Sequence, residues 1–393
     1  MIFQTLDSKS ECTGIYVDGQ ITTGDFNNLN LTATWSPGLH FTDQVFDCAI
    51  IRALGSSLDD ACPDEMKETW RTINKKAVAF MNSFKNSQVN LDEVCFYDLL
   101  PNKFLLEFYG LKNDITKHII ETCEKPKNYD FMYELLIFLK KIENQNLNLN
   151  FKNLNMTDPK VRRSLSKLKD SSHRISYNPW GTVTGRLATN KNSFPILTLN
   201  KELRSVIEPT NNCLLELDFN AAEIRVLFSL LGQNQPDEDI HSWISKNIFN
   251  DKYDREQSKK KVFAWLYNPR AKNKKLNSYL KRDALYDKYY KNGHVETPFG
   301  RKIKVTKDKA VNYLVQSTTS DLFLTSAIKI DKMLEDKKSN VCFCIHDSLV
   351  LDYAKEDQKI ISEVVQEFSD TKFGFFNTNL SMGKNFGMMR KIE

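Results

Sequence analysis

Two aspartates stand where a chain would place them to work on a charged substrate. Asp218 closes the apolar run CLLELDF, whose composition reads as a strand. Asp347 lies in NVCFCIHDSLVLDY, which reads as two strands joined by a tight turn at His346-Asp347-Ser348. A carboxylate at a strand end is rigidly held and still faces solvent. Two of them on adjacent strands make an oxygen-rich site suited to Mg²⁺, which takes one or two carboxylates plus substrate phosphates. Two such ions, ~3.5–4 Å apart, can activate an attacking hydroxyl and stabilise a leaving group. On spacing alone, the commoner role of an aspartate at a turn is a structural cap.

A second constellation lies between them. Arg255, Lys259, Phe263 and Tyr267 are spaced four apart in a helical pattern spanning about 254–267. At ~100° per residue each step of four drifts by only ~40°, so all four fall along one stripe. The stripe runs from cationic to aromatic over roughly 18 Å. A nucleoside triphosphate has the same polarity, anionic at one end and flat at the other. Arg and Lys can clamp the triphosphate, and aromatic rings can stack on the base. An amphipathic helix with its aromatics in the core fits the spacing equally well.

Segment 173–352 resembles the family A DNA polymerases, the group that holds bacterial polymerase I and many phage replicases. TVTGRLAT is similar to the family's TGR segment, DFNAAEIRVLF to its motif A, and DEDIHSWISKNIF to the segment after it. The Arg255 stripe resembles motif B, TPFGRK and NYLVQSTTSDL the blocks that follow, and IHDSLVLD motif C. The seven blocks agree in order and spacing over roughly 180 residues.

The resemblance implies an α+β, multidomain right-hand polymerase with an antiparallel-sheet palm, helical fingers, a helical thumb and a small β-rich N-terminal region. It implies Asp218 and Asp347 as ligands of two Mg²⁺ ions, with Mn²⁺ as a substitute. Glu223 becomes a steric gate at the sugar 2′ position. Arg255, Lys259 and His241 contact the triphosphate, and Phe263 and Tyr267 line the nascent base pair. Arg186, Asn312 and Gln316 contact the minor groove of the primer–template, where the acceptor pattern is similar for all base pairs. Arg301 contacts the nucleic-acid backbone. The expected partners are primer–template DNA and dNTPs, with a processivity factor left open and a monomeric state. Proofreading is expected to be absent, because no Asp-x-Glu triplet accompanies Asp7 near the start.

Departures from the pattern are specific. Ala221 stands where motif A usually has Gln, Asn268 where motif B ends in Gly, and Ser317 where the Gln316 block has Gly. Ser348 replaces the usual Glu of motif C, so a second carboxylate is missing there. Single-subunit phage-type RNA polymerases also read His-Asp-Ser, which makes them the rival reading. Glu223 at the gate, Phe263 where those enzymes usually carry Met, and the TGR segment favour the DNA enzymes. A non-catalytic nucleic-acid-binding relative is a third reading, opposed by retention of both aspartates and the whole stripe.

The elements that must position these residues follow from the wider pattern. The chain has 393 residues, 41% hydrophobic, enough for two or three domains and a sizeable core. The formal charge of +5 is mild, so nucleic-acid binding requires locally gathered charge. Lys259, Lys260, Lys261, Arg270, Lys272, Lys274, Lys275, Lys281 and Arg282 form one such stretch, which reads equally as a solvated helix face. Eight cysteines without CxxC spacing indicate neither a zinc site nor a disulfide framework and suit reduced thiols. Cys342 and Cys344 read as small core residues on one face of a strand. The N-terminus lacks a signal pattern and no apolar run approaches the ~20 residues of a membrane span, so a cytoplasmic setting is expected, the host's if phage-encoded. The domain reading is 1–65 β-rich, exonuclease-like and degenerate or an unrelated β domain; 66–165 helical and thumb-like; 166–245 first part of the palm; 246–293 fingers; 294–393 second part of the palm.

Overall fold

The computed structural model describes residues 1–7, 14–24, 26, 28–39, 44–91, 94–154, 162, 165, 168, 172–268, 271 and 273–392. Arg270 and Lys272 of the basic stretch fall outside them. The chain divides into two compact units, Met1–Asn144 and Gln145–Glu393.

Unit 1 is built on a five-stranded sheet of β1 (Ile2–Thr5), β2 (Gly14–Val17), β3 (Gln20–Thr23), β4 (Ala33–Thr34) and β5 (Asp47–Cys48), in the order β3-β2-β1-β4-β5. β2 runs antiparallel to β1 and β3, whereas β4 runs parallel to β1 and β5. A turn at Asp18-Gly19 joins β2 to β3, with positive φ at both residues, as a tight right-twisting hairpin requires. Helices α1 (Lys67–Asn86), α2 (Asn102–Thr122) and α3 (Tyr129–Glu143) belong to this same unit. Tyr109 of α2 donates to the Leu6 carbonyl at 2.6 Å, Gln4 Nε2 to Thr116 Oγ1 at 3.0 Å, and the Cys48 amide to Tyr129 Oη at 2.7 Å. The helical region read as a thumb over 66–165 therefore packs, through residue 143, on the N-terminal sheet. Periodicity marks an apolar helix face but not the surface that covers it. Cys95 is disulfide-bonded, against the expectation of eight reduced thiols, while Cys48, Cys62, Cys123, Cys213, Cys342 and Cys344 are free.

Unit 2 begins its site with a short hairpin of β6 (Tyr177–Asn178) and β7 (Ala188–Thr189). β8 (Cys213–Phe219) follows, then α4 (Ala222–Leu230), α5 (Ile240–Asn247) and α6 (Arg255–Tyr267). A three-stranded sheet of β9 (Tyr290–Lys291), β10 (His294–Glu296) and β11 (Lys302–Lys304) leads into the 27-residue α7 (Lys307–Met333). The chain then runs through β12 (Asn340–Ile345), β13 (Ser348–Tyr353), α8 (Ile361–Ser369), β14 (Thr378–Gly383) and β15 (Arg390–Ile392).

The central sheet has the order β12-β13-β8-β14-β15 and is antiparallel throughout. In β8, Leu215, Leu217 and Phe219 are buried, while Glu216 and Asp218 point to the other face and are half-buried. Phe219 stacks on Phe368 of α8 with ring centroids 4.3 Å apart, so the apolar face is covered by a helix. The register shifts between Val341 and Phe343. Strict alternation thus breaks at Cys342, which is half-buried, while Cys344 is buried. Among the described residues no helix is long and apolar enough to cross a membrane.

Candidate active site

The register of one strand pair creates the site. Asp218 pairs directly with Ser348, so the last turn of β8 lies beside the two-residue connection His346-Asp347. His346 takes φ +53°, an uncommon conformation for a non-glycine residue that keeps this hairpin tight. Ser348 Oγ donates to Asp218 Oδ1 at 3.0 Å and Asn379 Nδ2 to Oδ2 at 3.2 Å, which fixes the carboxylate from both neighbouring strands. Burial raises the Asp218 carboxyl above its ordinary range and the Asp347 charge pushes the same way; Asn379, Ser348 and the charge of Lys259 oppose. Burial also raises Asp347, opposed by the charges of Arg186 and His346.

Glu216 is a third carboxylate that the sequence reading passed over. It sits two residues before Asp218 on the same face of β8, and alternation within CLLELDF was the signal that pointed to it. Burial raises it, as does the charge of Asp218, while a hydrogen bond with Ser348 and the charge of Arg204 oppose. Among the described residues no three His, Cys, Asp or Glu side chains converge as a metal cage. Asp218 and Asp347 are nevertheless hard oxygen donors whose charges disfavour each other, and a divalent cation would offset that. Such an open pair fits Mg²⁺, which keeps waters and substrate phosphates as its other ligands.

A closed network stands beside the aspartates. Glu223, only 6% exposed, accepts from Arg186 Nη2 at 2.5 Å and from the Tyr267 hydroxyl. Burial raises its carboxyl, and Tyr267 and Arg186 counter that rise. Gln316 in turn hydrogen-bonds Tyr267. Arg186, Glu223, Tyr267, Gln316 and the two aspartates thus share one neighbourhood. Asn312 lies one turn before Gln316 on α7 and keeps a buried Oδ1 with no partner among the described residues.

The stripe lies off the core face of α6. The core face of α6 is Ser258, Val262, Trp265 and Leu266. Arg255 and Lys259 are exposed, and Phe263 and Tyr267 are half-buried on another face, their rings stacked at 5.7 Å and 7°. The helix starts sharply because Asp254 and Gln257 form a capping box, and it ends at Tyr267, as Asn268-Pro269 requires. Arg255 is held by a two-pronged pair with Asp239, at 2.9 and 3.0 Å, and by Glu256 at 2.5 Å. Asp239 also caps α5 by accepting from the Ser242 amide, and its carboxyl lies well below the usual range. Its dual role was not read from the sequence, where only its place before a helical run marked it. The loop ahead of it is tied down by Arg225, whose guanidinium, buried in α4, donates to the carbonyls of Asn220, Pro236 and Glu238.

His241 lies on α5 beside Phe263, ring centroids 5.9 Å apart. Burial holds its pKa down to about 4, with Lys259 and Arg255 adding to the effect and Asp239 opposing. The ring is therefore neutral at physiological pH. Arg301, expected on a nucleic-acid backbone, has its guanidinium on Asp321 of α7.

No family profile matches the chain. It is 26% identical over 242 residues to a thermostable DNA polymerase I of Thermus aquaticus, a match covering 49% of this chain and 29% of the relative. It is 22% identical over 290 residues to a DNA polymerase of Bacillus phage SP01, covering 54% and 31%. The chain is related to DNA polymerase I. A DNA polymerase I of Caldicellulosiruptor bescii gives 25% identity over 257 residues, 51% and 30% covered. Each match spans under a third of the curated relative's length. Among solved structures, the fold is similar to the POL domain of Pol1 from M. smegmatis, solved in complex with DNA primer-template and dNTP. That likeness has a TM-score of 0.59 at 12% identity and covers 87% of this chain and 82% of the other. The fold is thus similar to that of a polymerase domain, with mixed helices and antiparallel sheets.

The buried neutral histidine has a checkable consequence. Its folded pKa of about 4 lies below the unfolded value of about 6.5. Its contribution to stability is present in full above pH ~6.5 and is lost as pH falls toward 4, amounting to about 3 kcal/mol. Histidine proton NMR should show one ring titrating near pH 4, absent in His241→Asn, and that variant should lose less stability between those pH values. A His241 midpoint above about 6 would overturn the assignment.

Proposed function

We propose that this protein is a template-directed DNA polymerase that extends a primer 3′-hydroxyl with dNTPs. The observation that carries the reading is that one strand register joins Asp218 and Asp347, with Lys259 of the stripe and the Arg186–Glu223–Tyr267 network acting on the same two carboxylates. Asp218 and Asp347 would hold two Mg²⁺ ions, with Mn²⁺ as a substitute. When bound, the ions would lower the pKa of the attacking hydroxyl and stabilise the charge on the leaving pyrophosphate.

The chain's own residues do the rest. Arg255 and Lys259 face the triphosphate as exposed cations at one end of α6, and Asp239 keeps the Arg255 fork oriented until a phosphate competes for it. Phe263 and Tyr267, already stacked, offer a flat surface to the incoming base. Neutral His241 donates a hydrogen bond rather than charge. Glu223, fixed by Arg186 and Tyr267, closes the space next to the sugar 2′ position. Arg186, Asn312 and Gln316 reach the minor groove of the primer–template.

Residues 166–245 and 294–393 form the palm in this reading, and 246–293 the fingers. Residues 1–65 are read as a degenerate exonuclease-like module or an unrelated β domain, and the helical region 66–165 as thumb-like. The N-terminal mixed sheet places Asp7 just past the central strand β1, where the side chain is buried and accepts from the Phe96 amide at 3.3 Å. The phage relative and the Lys- and Asn-rich composition favour a phage replication setting, in the cytoplasm of its host. A single-subunit RNA polymerase remains the rival to exclude, because Ser348 fits it.

Primer extension on a DNA template, with dNTPs or rNTPs and with or without primer, tests the reading. Primer-dependent dNTP incorporation is the expected result; primer-independent rNTP synthesis would establish the rival. Asp347→Ala should abolish extension, and full activity in that variant would sink the site. Glu223→Ala should raise ribonucleotide over deoxyribonucleotide use at least roughly tenfold; an unchanged ratio would count against the gate. Purified protein should not trim a mismatched primer in Mg²⁺, and 3′ shortening would contradict the inactive-module reading.

A further inference from the structure

We propose that Arg301 is a positioning residue for Arg186, and through it for the sugar gate, rather than a contact to nucleic acid. The inference rests on the polymerase reading and deepens it. Arg301 follows the turn between β10 and β11, which is closed by the Gly300 amide on the Thr297 carbonyl at 2.9 Å. From there its guanidinium grips Asp321, Nε to Oδ2 at 3.1 Å and Nη2 to Oδ1 at 2.7 Å. Asp321 is 0% exposed, so its charge depends on this fork. A two-pronged Arg–carboxylate pair fixes the plane of the guanidinium as well as its place.

That plane lies against Gly185. A Cβ on Gly185 would stand 2.6 Å from Arg301 Cζ and 2.7 Å from Nη2. Gly185 has φ +77°, a conformation that suits glycine. The residue before Asp321, Ser320, donates to the Gly185 carbonyl at 2.9 Å. Two consecutive residues of α7 thus clamp one glycine, one directly and one through Arg301. The next residue is Arg186. Its carbonyl accepts from Thr182 Oγ1 at 2.8 Å, and its guanidinium reaches Glu223. Arg186 also acts on Asp347 and Tyr267. Movement of the Gly185 turn would therefore carry Arg186 away from the gate.

Two variants separate this role from DNA contact. Arg301→Met with Asp321→Leu removes the fork without leaving a buried lone charge. Gly185→Ala keeps the charge and pushes the guanidinium aside. Each is compared with wild type and Arg186→Ala for the ribonucleotide-to-deoxyribonucleotide kcat/KM ratio and for the salt dependence of primer–template binding. Both should raise the ratio roughly tenfold, the scale of one lost charge-assisted hydrogen bond, and lower the salt slope no further than Arg186→Ala does. A slope reduced by about 0.9 below that of Arg186→Ala, the signature of one further lost phosphate contact, overturns the proposal whatever the ratio. An unchanged ratio in both variants also overturns it. Failure of the wild type to extend a primer would instead refute the polymerase reading, and this inference with it.

Discussion

The pairing of Asp218 with Ser348 across β8 and β13 is the constraint on which the site depends. It sets a carboxylate at the end of one strand beside a second carboxylate at the tip of the next hairpin. Both are raised by burial, and the Asp347 charge adds to the rise at Asp218. Such a pair is costly in the absence of positive charge. Everything nearby can be understood as a response. Ser348 and Asn379 hydrogen-bond Asp218, and Lys259 and Arg186 bring positive charge. A slip of one residue in that register would turn Asp218 into the apolar layer against α8.

The second layer of control is rigidity. Glu223 is buried and doubly hydrogen-bonded, Arg186 is fixed by the turn that Arg301 and Ser320 clamp, and Arg255 is oriented by a carboxylate that also caps a helix. Arg186, Arg255 and Arg301 are held by acidic partners on other elements. An arrangement of this kind lowers the reorganisation needed when a charged substrate arrives. The replacement of a carboxylate by Ser348 fits the same frame. Its hydroxyl joins Asp218 and Glu216, so acidic charge is still present on the strand next door.

Much of this was legible in the chain. The strand ending in Asp218, the hairpin around Asp347 and the helix from Arg255 to Tyr267 follow from alternation, turn residues and a proline stop, because those signals are local. Gly232, with φ +67°, closes α4 as a C-terminal cap, a local signal of the same kind. What could not be read is which surface each apolar face covers. The helices between 67 and 143 have clear periodicity, yet their packing on the N-terminal sheet instead of standing apart depends on contacts such as Tyr109–Leu6 and Gln4–Thr116, far apart in sequence.

By itself the sequence determined the residue types of the site and their spacing along strand and helix, since both are consequences of local periodicity. Only the tertiary structure decided that Phe263 and Tyr267 lie off the core face of α6, because burial is a property of the neighbours and not of the stripe. It likewise decided that Arg301 turns inward. An arginine in a loop carries no sign of the carboxylate it will meet, and here that carboxylate, Asp321, is buried in a helix twenty residues away. Glu216 joined the acidic pair for the same reason: its face of the strand became the site only when β13 was laid beside it.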